Sequence, residues 1–146
     1  MQLEPGVEIV IMDNASSDNT TEVVTQYLLR HPEVRYFRHQ ENLGVDRNYD
    51  EAVNYARGEY CWLMSDDDLL CPRAINKVLS ALEGGEDLVI VNAESRNSDL
   101  SVLIEKQLLK HESTVIYGEH DQESFFKKNA KYISLADSTL KCNFCK

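Results

Sequence analysis

The sequence predicts an α/β fold, a mostly parallel sheet with helices on both faces. Short continuous apolar runs, "VEIVIMD", "EYCWLMS" and "DLVIVNA", alternate with stretches of helical period. Strands that are apolar on both sides belong in a sheet covered on both faces, and their alternation with helices implies parallel crossovers. At 146 residues and 42% hydrophobic, the chain is long enough to bury a core, so one domain over residues 1–146 is expected.

The elements follow in order. "VEIVIMD" is an apolar, β-branched strand ending at Asp13. "NASSDNTTE" combines turn and capping residues. It leads into a helix reaching about Leu29, with Val23, Val24, Tyr27 and Leu28 as its apolar face and Pro32 as its stop. "VRYFRH" is a second strand. "NLGVDRN" opens a helix from about Asp46 to Arg57, with Tyr49, Ala52, Val53 and Ala56 inward and Gly58 ending it. "EYCWLMS" is a third strand and delivers the chain to Asp66, Asp67 and Asp68. Pro72 suits the first turn of a helix that buries Ile75, Val78, Leu79 and Leu82 and ends at Gly84 and Gly85. "DLVIVNA" is a fourth strand. Beyond it "DLSVLIEKQLLK" reads as weakly helical, "STVIYG" as a strand and "DQESFFKKNAKY" as a short helix.

A net charge of −10, from 25 acids against 15 bases, disfavours nucleic acid and anionic membrane surfaces as direct partners, because no basic stripe exists for phosphates. A polyanionic ligand would need a divalent cation between it and the protein. The start "MQLEPGVEIVIMD" lacks the basic residues and the long apolar run of a leader, and no segment approaches the ~20 apolar residues of a membrane span. The cytoplasm is therefore the expected compartment, with peripheral membrane attachment left open. In that setting Asn14 in "NAS" and Asn19 in "NTT" are chance sequons. Cys61 and Cys71 read as small buried thiols. Cys142 and Cys145 in "CNFC" form half a zinc site with no partner motif, in a tail of unassigned role. The histidines, His31, His39, His111 and His120, have no ligand spacing and are expected at the surface.

Asp66–Asp68 pose the main chemical question. Adjacent charges about 5 Å apart repel by roughly 3 kcal/mol at an effective dielectric near 20. In a parallel sheet ligands bind beyond the carboxyl ends of the strands, and both Asp13 and Asp66–Asp68 fall at such ends. Several carboxylates on one edge suit a hard cation, Mn²⁺ or Mg²⁺. The competing explanation is that the acids cap the following helix. Other phosphate devices fail: there is neither GxGxxG nor GxxxxGK[ST], an EF-hand from Asp13 would need Gly at Asp18 and Glu at Val24, and no GxSxG elbow is present.

"EIVIMDNASSDNT" followed by "NLGVDRNYDEAVNYARGEYCWLMSDDDLLCP" resembles the nucleotide-sugar-binding half of family 2 inverting glycosyltransferases of the GT-A (nucleotide-diphospho-sugar transferase) fold, over roughly Val7 to Ala93. The ordered set carries the resemblance: an acid after a strand, an Asn-x-Gly segment with an Arg-Asn pair, a "GEY" strand, then a DXD-type run with a proline four residues on. The resemblance implies that Asp13 hydrogen-bonds the nucleobase, typically uracil, and that Arg47 lies near base and phosphates, with Asn42 and Gly44 shaping its loop. It places Asp66 at the ribose or sugar, and makes Asp67, with Asp68 beside it, the ligand of a Mn²⁺ or Mg²⁺ that holds the diphosphate. The implied partners are a nucleoside-diphosphate sugar, UDP-sugar favoured, and a glycan or lipid-linked acceptor, as in polysaccharide biosynthesis.

The family pattern departs at both ends. Its usual first strand, of the type "VSIVIPTYN", has no counterpart before Val7, and no downstream acid among Glu112, Glu119, Asp121 and Asp137 sits in a convincing general-base motif. The chain reads as a glycosyltransferase domain lacking the first strand and most of the acceptor-binding part. Two other readings stand beside it. One is a non-catalytic remnant or assembly module, a homodimer formed through the unpaired sheet position. The other is a different α/β metal-phosphate enzyme such as a nucleotidyltransferase.

Overall fold

The computed structural model describes residues 4–85, 87–110, 113–121, 123–124, 127 and 143–145. The chain divides into two units, Met1–Val89 with Asn143–Lys146, and Ile90–Cys142.

In the first unit the order is β1 (Ile9–Asp13), α1 (Thr20–Leu28), β2 (Val34–Arg38), α2 (Val45–Tyr55), β3 (Cys61–Trp62), α3 (Ala74–Leu82) and β4 (Leu88–Ile90), the last ending at the boundary. β1 and β2 pair in parallel, with Ile9 opposite Val34 and Asp13 opposite Arg38. The α1 crossover makes that pairing reachable. β7 (Asn143–Cys145) lies between β3 and β4, and it runs antiparallel to β3 with Cys61 opposite Cys145. Within the "CNFC" tail of unassigned role, Asn143–Cys145 thus contributes backbone to a sheet.

α2 is fastened to β1 at both of its ends. Near its start, the Asn48 side chain donates to the Met12 carbonyl at 3.3 Å. Near its end, the Arg57 amide donates to Glu8 Oε1 at 2.5 Å, and the other Glu8 oxygen accepts from Arg35 Nη1 at 3.0 Å. Arg35 also donates to the Tyr55 carbonyl at 2.8 Å and lies over the Phe37 ring. Polar bonds thus tie α2 to β1 at each end. Burial alone would push the Glu8 carboxyl up, but the Arg57 amide and the Arg35 guanidinium outweigh it and hold the group below its usual range.

A cavity of about 490 Å³ lies among β1, α2, β3 and α3. The inward faces expected of two helices meet it: Tyr49, Ala52 and Ala56 from α2, and Ile75, Val78, Leu79 and Leu82 from α3. Val78 is buried, as is Val24 on α1. Val53 is turned outward instead and Leu79 lines the cavity yet stays exposed, and on α1 Val23 and Tyr27 are exposed, so that helix buries a narrower stripe than its spacing predicts. His39 departs from the surface expectation too: it is half-buried, and its Nε2 has no hydrogen-bond partner among the described residues.

The second unit differs most from expectation. The segment read as weakly helical contains β6 (Leu103–Glu105), which pairs antiparallel with β5 (Ser95–Arg96) through an irregular register. The connecting turn is held by side chains: Asn97 Oδ1 accepts from the Val102 amide at 2.9 Å and Asp99 Oδ1 from the Ser101 amide at 2.9 Å. Such local bonds compete directly with helix formation. Beyond it the Asn92 amide pairs with both backbone groups of buried Leu109, each at 2.9 Å. Residues 113–118, expected as a strand, carry none and lead into a 3₁₀ turn at Glu119–Asp121. The helix expected over 121–132 falls mostly outside the described residues.

Candidate functional site

Asp13 ends β1 and is the one buried charged residue among those described, its side chain 0% exposed. Its Oδ1 accepts from the Ser16 amide at 2.7 Å, an Asx-type turn that bends the chain out of the strand. Its Oδ2 accepts from the Tyr36 hydroxyl at 2.5 Å and faces Arg38 Nε at 3.2 Å. Burial by itself would raise the carboxyl; the Ser16 and Tyr36 hydrogen bonds, then the Arg38 charge, outweigh it and hold Asp13 below the usual carboxylate range. The same contact acts on the phenol, and burial with the Asp13 charge pushes Tyr36 up. Arg38 reaches further, donating from Nη2 to the Ser16 carbonyl at 2.9 Å, and Thr21 of α1 meets the Tyr36 hydroxyl at 3.1 Å. The resemblance assigns this acid to a nucleobase; in the structure its oxygens are engaged with protein donors.

The loop after β1 is joined to the loop before α2. Asn14 Nδ2 donates to Asn42 Oδ1 at 2.9 Å and to the Gly44 carbonyl at 3.2 Å, while Asn14 Oδ1 accepts from the Leu43 amide at 2.8 Å. Asn42 Oδ1 also accepts from the Gly44 amide at 2.8 Å, so both its lone pairs are used and its –NH₂ is the group left for a ligand. Gly44 is the N-cap of α2 at φ 84°, and a Cβ there would meet nothing within 4 Å. Conformation, not space, demands glycine at this point. Arg47 stands exposed in the first turn of α2, whose N-terminus has no side-chain cap.

Asp66, Asp67 and Asp68 lie on a separate, exposed turn after β3. Asp68 Oδ2 accepts from the Ser65 amide at 3.4 Å. α3 begins only at Ala74, its N-cap is Arg73 in the left-handed region at φ 63°, and its first turn holds no acid. The aspartates therefore do not cap α3, and the competing explanation of their clustering falls away. Cys71, expected buried, is exposed just past them.

Of the residues singled out in the sequence, the structure brings Asn42 and Gly44 to the loop that Asp13 anchors. It leaves Arg47 on the adjoining helix turn and the three aspartates on their own turn. Sequence reasoning missed Asn14, Tyr36 and Arg38. Two signals were available: Tyr36 and Arg38 sit two apart on one face of a strand, and a parallel partner strand ending in an acid would set that acid beside one of them.

The strand-end acid, the loop at the N-terminus of α2 and the exposed acidic turn all lie within one α/β unit, the setting in which anions are commonly bound at strand ends and helix N-termini. The family model "Glycosyl transferase family 2" matches residues 1–140, and the chain belongs to that family. Its GT-A fold agrees with the α/β architecture and the parallel β1–β2 pairing; by resemblance the domain is that of a sugar transferase. Among curated relatives, the abequosyltransferase of Salmonella typhimurium is 33% identical over 95 residues, 64% of this chain and 28% of its own length. The chondroitin synthase of Escherichia coli is 31% identical over 93 residues, 64% of this chain and 13% of its own. A dolichyl-phosphate beta-glucosyltransferase of Trichomonas vaginalis is 36% identical over 61 residues, 42% of this chain and 18% of its own. The match thus spans less than a third of each of these relatives. No solved structure matches the chain.

The family generally uses a divalent metal and implies a nucleotide-sugar donor and a glycan acceptor. Among the described residues no group of three or more His, Cys, Asp or Glu side chains is placed to hold a metal ion. The acidic turn still fits such an ion chemically, because Mg²⁺ is commonly held by one or two carboxylates with substrate phosphates and water completing the shell. Among the same residues no helix is long and apolar enough to cross a membrane.

Proposed function

We propose that this domain binds a nucleoside-diphosphate sugar, UDP-sugar favoured, and serves transfer of the sugar with inversion to a glycan or lipid-linked acceptor. The observation that supports it best is the tied pair of loops, 13–16 and 42–44, at the carboxyl end of β1 and the N-terminus of α2. Asp13 anchors the base end of the site from beneath. Direct base contacts then fall to the loops it holds, with the Asn42 –NH₂ as a donor. Arg47 and the open N-terminus of α2 supply positive charge for the diphosphate. Asp66 faces the ribose or sugar, and Asp67 with Asp68 would hold Mn²⁺ or Mg²⁺. A bound cation supplies Lewis-acid stabilisation of the departing diphosphate. Inversion by a single displacement also needs a general base; among the earlier candidates Glu112 and Asp137 lie outside the described residues, and Asp121 is tied to the Gly118 amide at 3.2 Å.

Calorimetric titration of UDP with and without Mn²⁺, repeated on Asp67→Ala, tests this reading. Binding that requires the metal and disappears in the variant is the expected result. A folded wild-type protein that binds no UDP under either condition would leave the family membership as ancestry alone.

A further inference from the structure

We propose that Asn14 is a positioning residue for the donor loop, an assignment that rests on the nucleotide-sugar reading above. Its planar amide reaches three groups of the 42–44 loop across 28 to 30 residues of sequence: Asn42 Oδ1, the Leu43 amide and the Gly44 carbonyl. Few side chains of this length meet that demand. Two donors and one acceptor must leave one rigid group in different directions; Asp has no donor when ionised and Ser has a single one. Asn14 is itself held, because it lies between Asp13, buried and hydrogen-bonded, and Ala15, locked in the left-handed region at φ 63°. A fixed strand end thereby sets the path of a glycine loop that could otherwise take many conformations.

Two consequences follow for the site. The Gly44 carbonyl accepts both from Asn14 Nδ2 and from the Asn48 amide, so the tie reaches the first turn of α2, where Arg47 stands. Asn42 Oδ1 is saturated by Asn14 and Gly44, which leaves its –NH₂ to face a ligand as donor only. Asn14 would thus select acceptor-rich ligand groups at this wall without touching the ligand itself.

The test uses the wild type, Asn14→Ala and Asn14→Asp, with hydrogen exchange at the Leu43 and Gly44 amides, UDP titration in Mn²⁺ and thermal melting. Asn14→Ala should accelerate Leu43 exchange about tenfold and weaken UDP about tenfold, since it removes three hydrogen bonds at once. Asn14→Asp retains the acceptor for Leu43 but sets a carboxylate against two oxygens. It should keep most of the Leu43 protection and still lose UDP affinity, with a melting point near wild type. That separation is one a merely structural role would not produce. Unchanged Leu43 exchange in Asn14→Ala overturns the tie. Accelerated exchange with unchanged UDP affinity overturns the link to the donor. Should wild type bind no UDP, the donor reading fails by itself, and Leu43 exchange alone then decides whether Asn14 organises the loop.

Discussion

Asp13 and the Asp66–Asp68 turn both stand at strand ends and both carry acid, yet they are opposite in physical character. Asp13 is wholly enclosed and receives hydrogen bonds from Ser16 and Tyr36 with the Arg38 guanidinium alongside. The three aspartates are exposed, and the helix that follows begins without them. Asp13 is tied into the fold by these contacts, whereas the three aspartates stand exposed on a turn that caps no helix. An acid's position in a motif therefore does not tell whether it meets the ligand or holds the wall that does.

The comparison can be broken by substitution. Asp13→Ala should cost the most, about 3 kcal/mol in urea unfolding, because it strands the Ser16 amide and the Tyr36 hydroxyl and releases Arg38. A loss below about 1 kcal/mol would show the enclosure to be energetically idle. Changing Asp66, Asp67 and Asp68 together to Asn should leave stability within about 0.5 kcal/mol of wild type, as for other exposed positions, while abolishing metal-dependent UDP binding. Equal destabilisation at both places would erase the distinction.

Acid sharpens it further. The Asp13 and Glu8 carboxyls are both held below their usual ranges in the folded protein. Groups of this kind bind protons more readily when unfolded, so their stabilisation is full above the unfolded values near 4 and is lost as pH falls through the folded ones. Stability should therefore decline steeply below about pH 4, and Asp13→Asn should flatten that decline. The smallest effect is expected at Ala15, whose left-handed backbone costs an L-residue 1–2 kcal/mol, partly offset by the entropy glycine loses on folding. Ala15→Gly should stabilise by about 0.5 kcal/mol, and a loss of stability instead would mean that the Ala15 methyl makes a contact worth more than the strain.

The strand–helix order through Leu82 was legible because its apolar period is sustained and its stops, Pro32, Gly58 and Gly84, are local chemistry. The hairpin of β5 and β6 was not. "DLSVLIEKQLLK" has helix-like spacing, but Leu103 and Ile104 are exposed, and the turn is made by Asn97, Asp99 and Ser101 bonding to the backbone. Period reports burial, and here burial does not decide the structure. Asn42 and Gly44 came forward only through the resemblance to the family's Asn-x-Gly segment; what the structure adds is their tie to Asn14. Asn14 was read only as a chance sequon, since its role depends on two loops nearly 30 residues apart. Tyr36 and Arg38 matter through the β1–β2 register, which becomes readable only when the two strands are paired in parallel.

The exposed acidic turn carries a consequence for how such a domain changes over time. Because α3 starts independently of Asp66–Asp68, substitutions on that exposed turn should disturb folding less than changes at enclosed Asp13. The frame of Asp13, Tyr36 and Arg38 has no such freedom, each change there being felt by several partners at once. On the proposed cation role of this turn, a lineage carrying this domain could lose or retune that role within a few steps while the surrounding architecture stayed intact, so descendants without the activity would keep the fold.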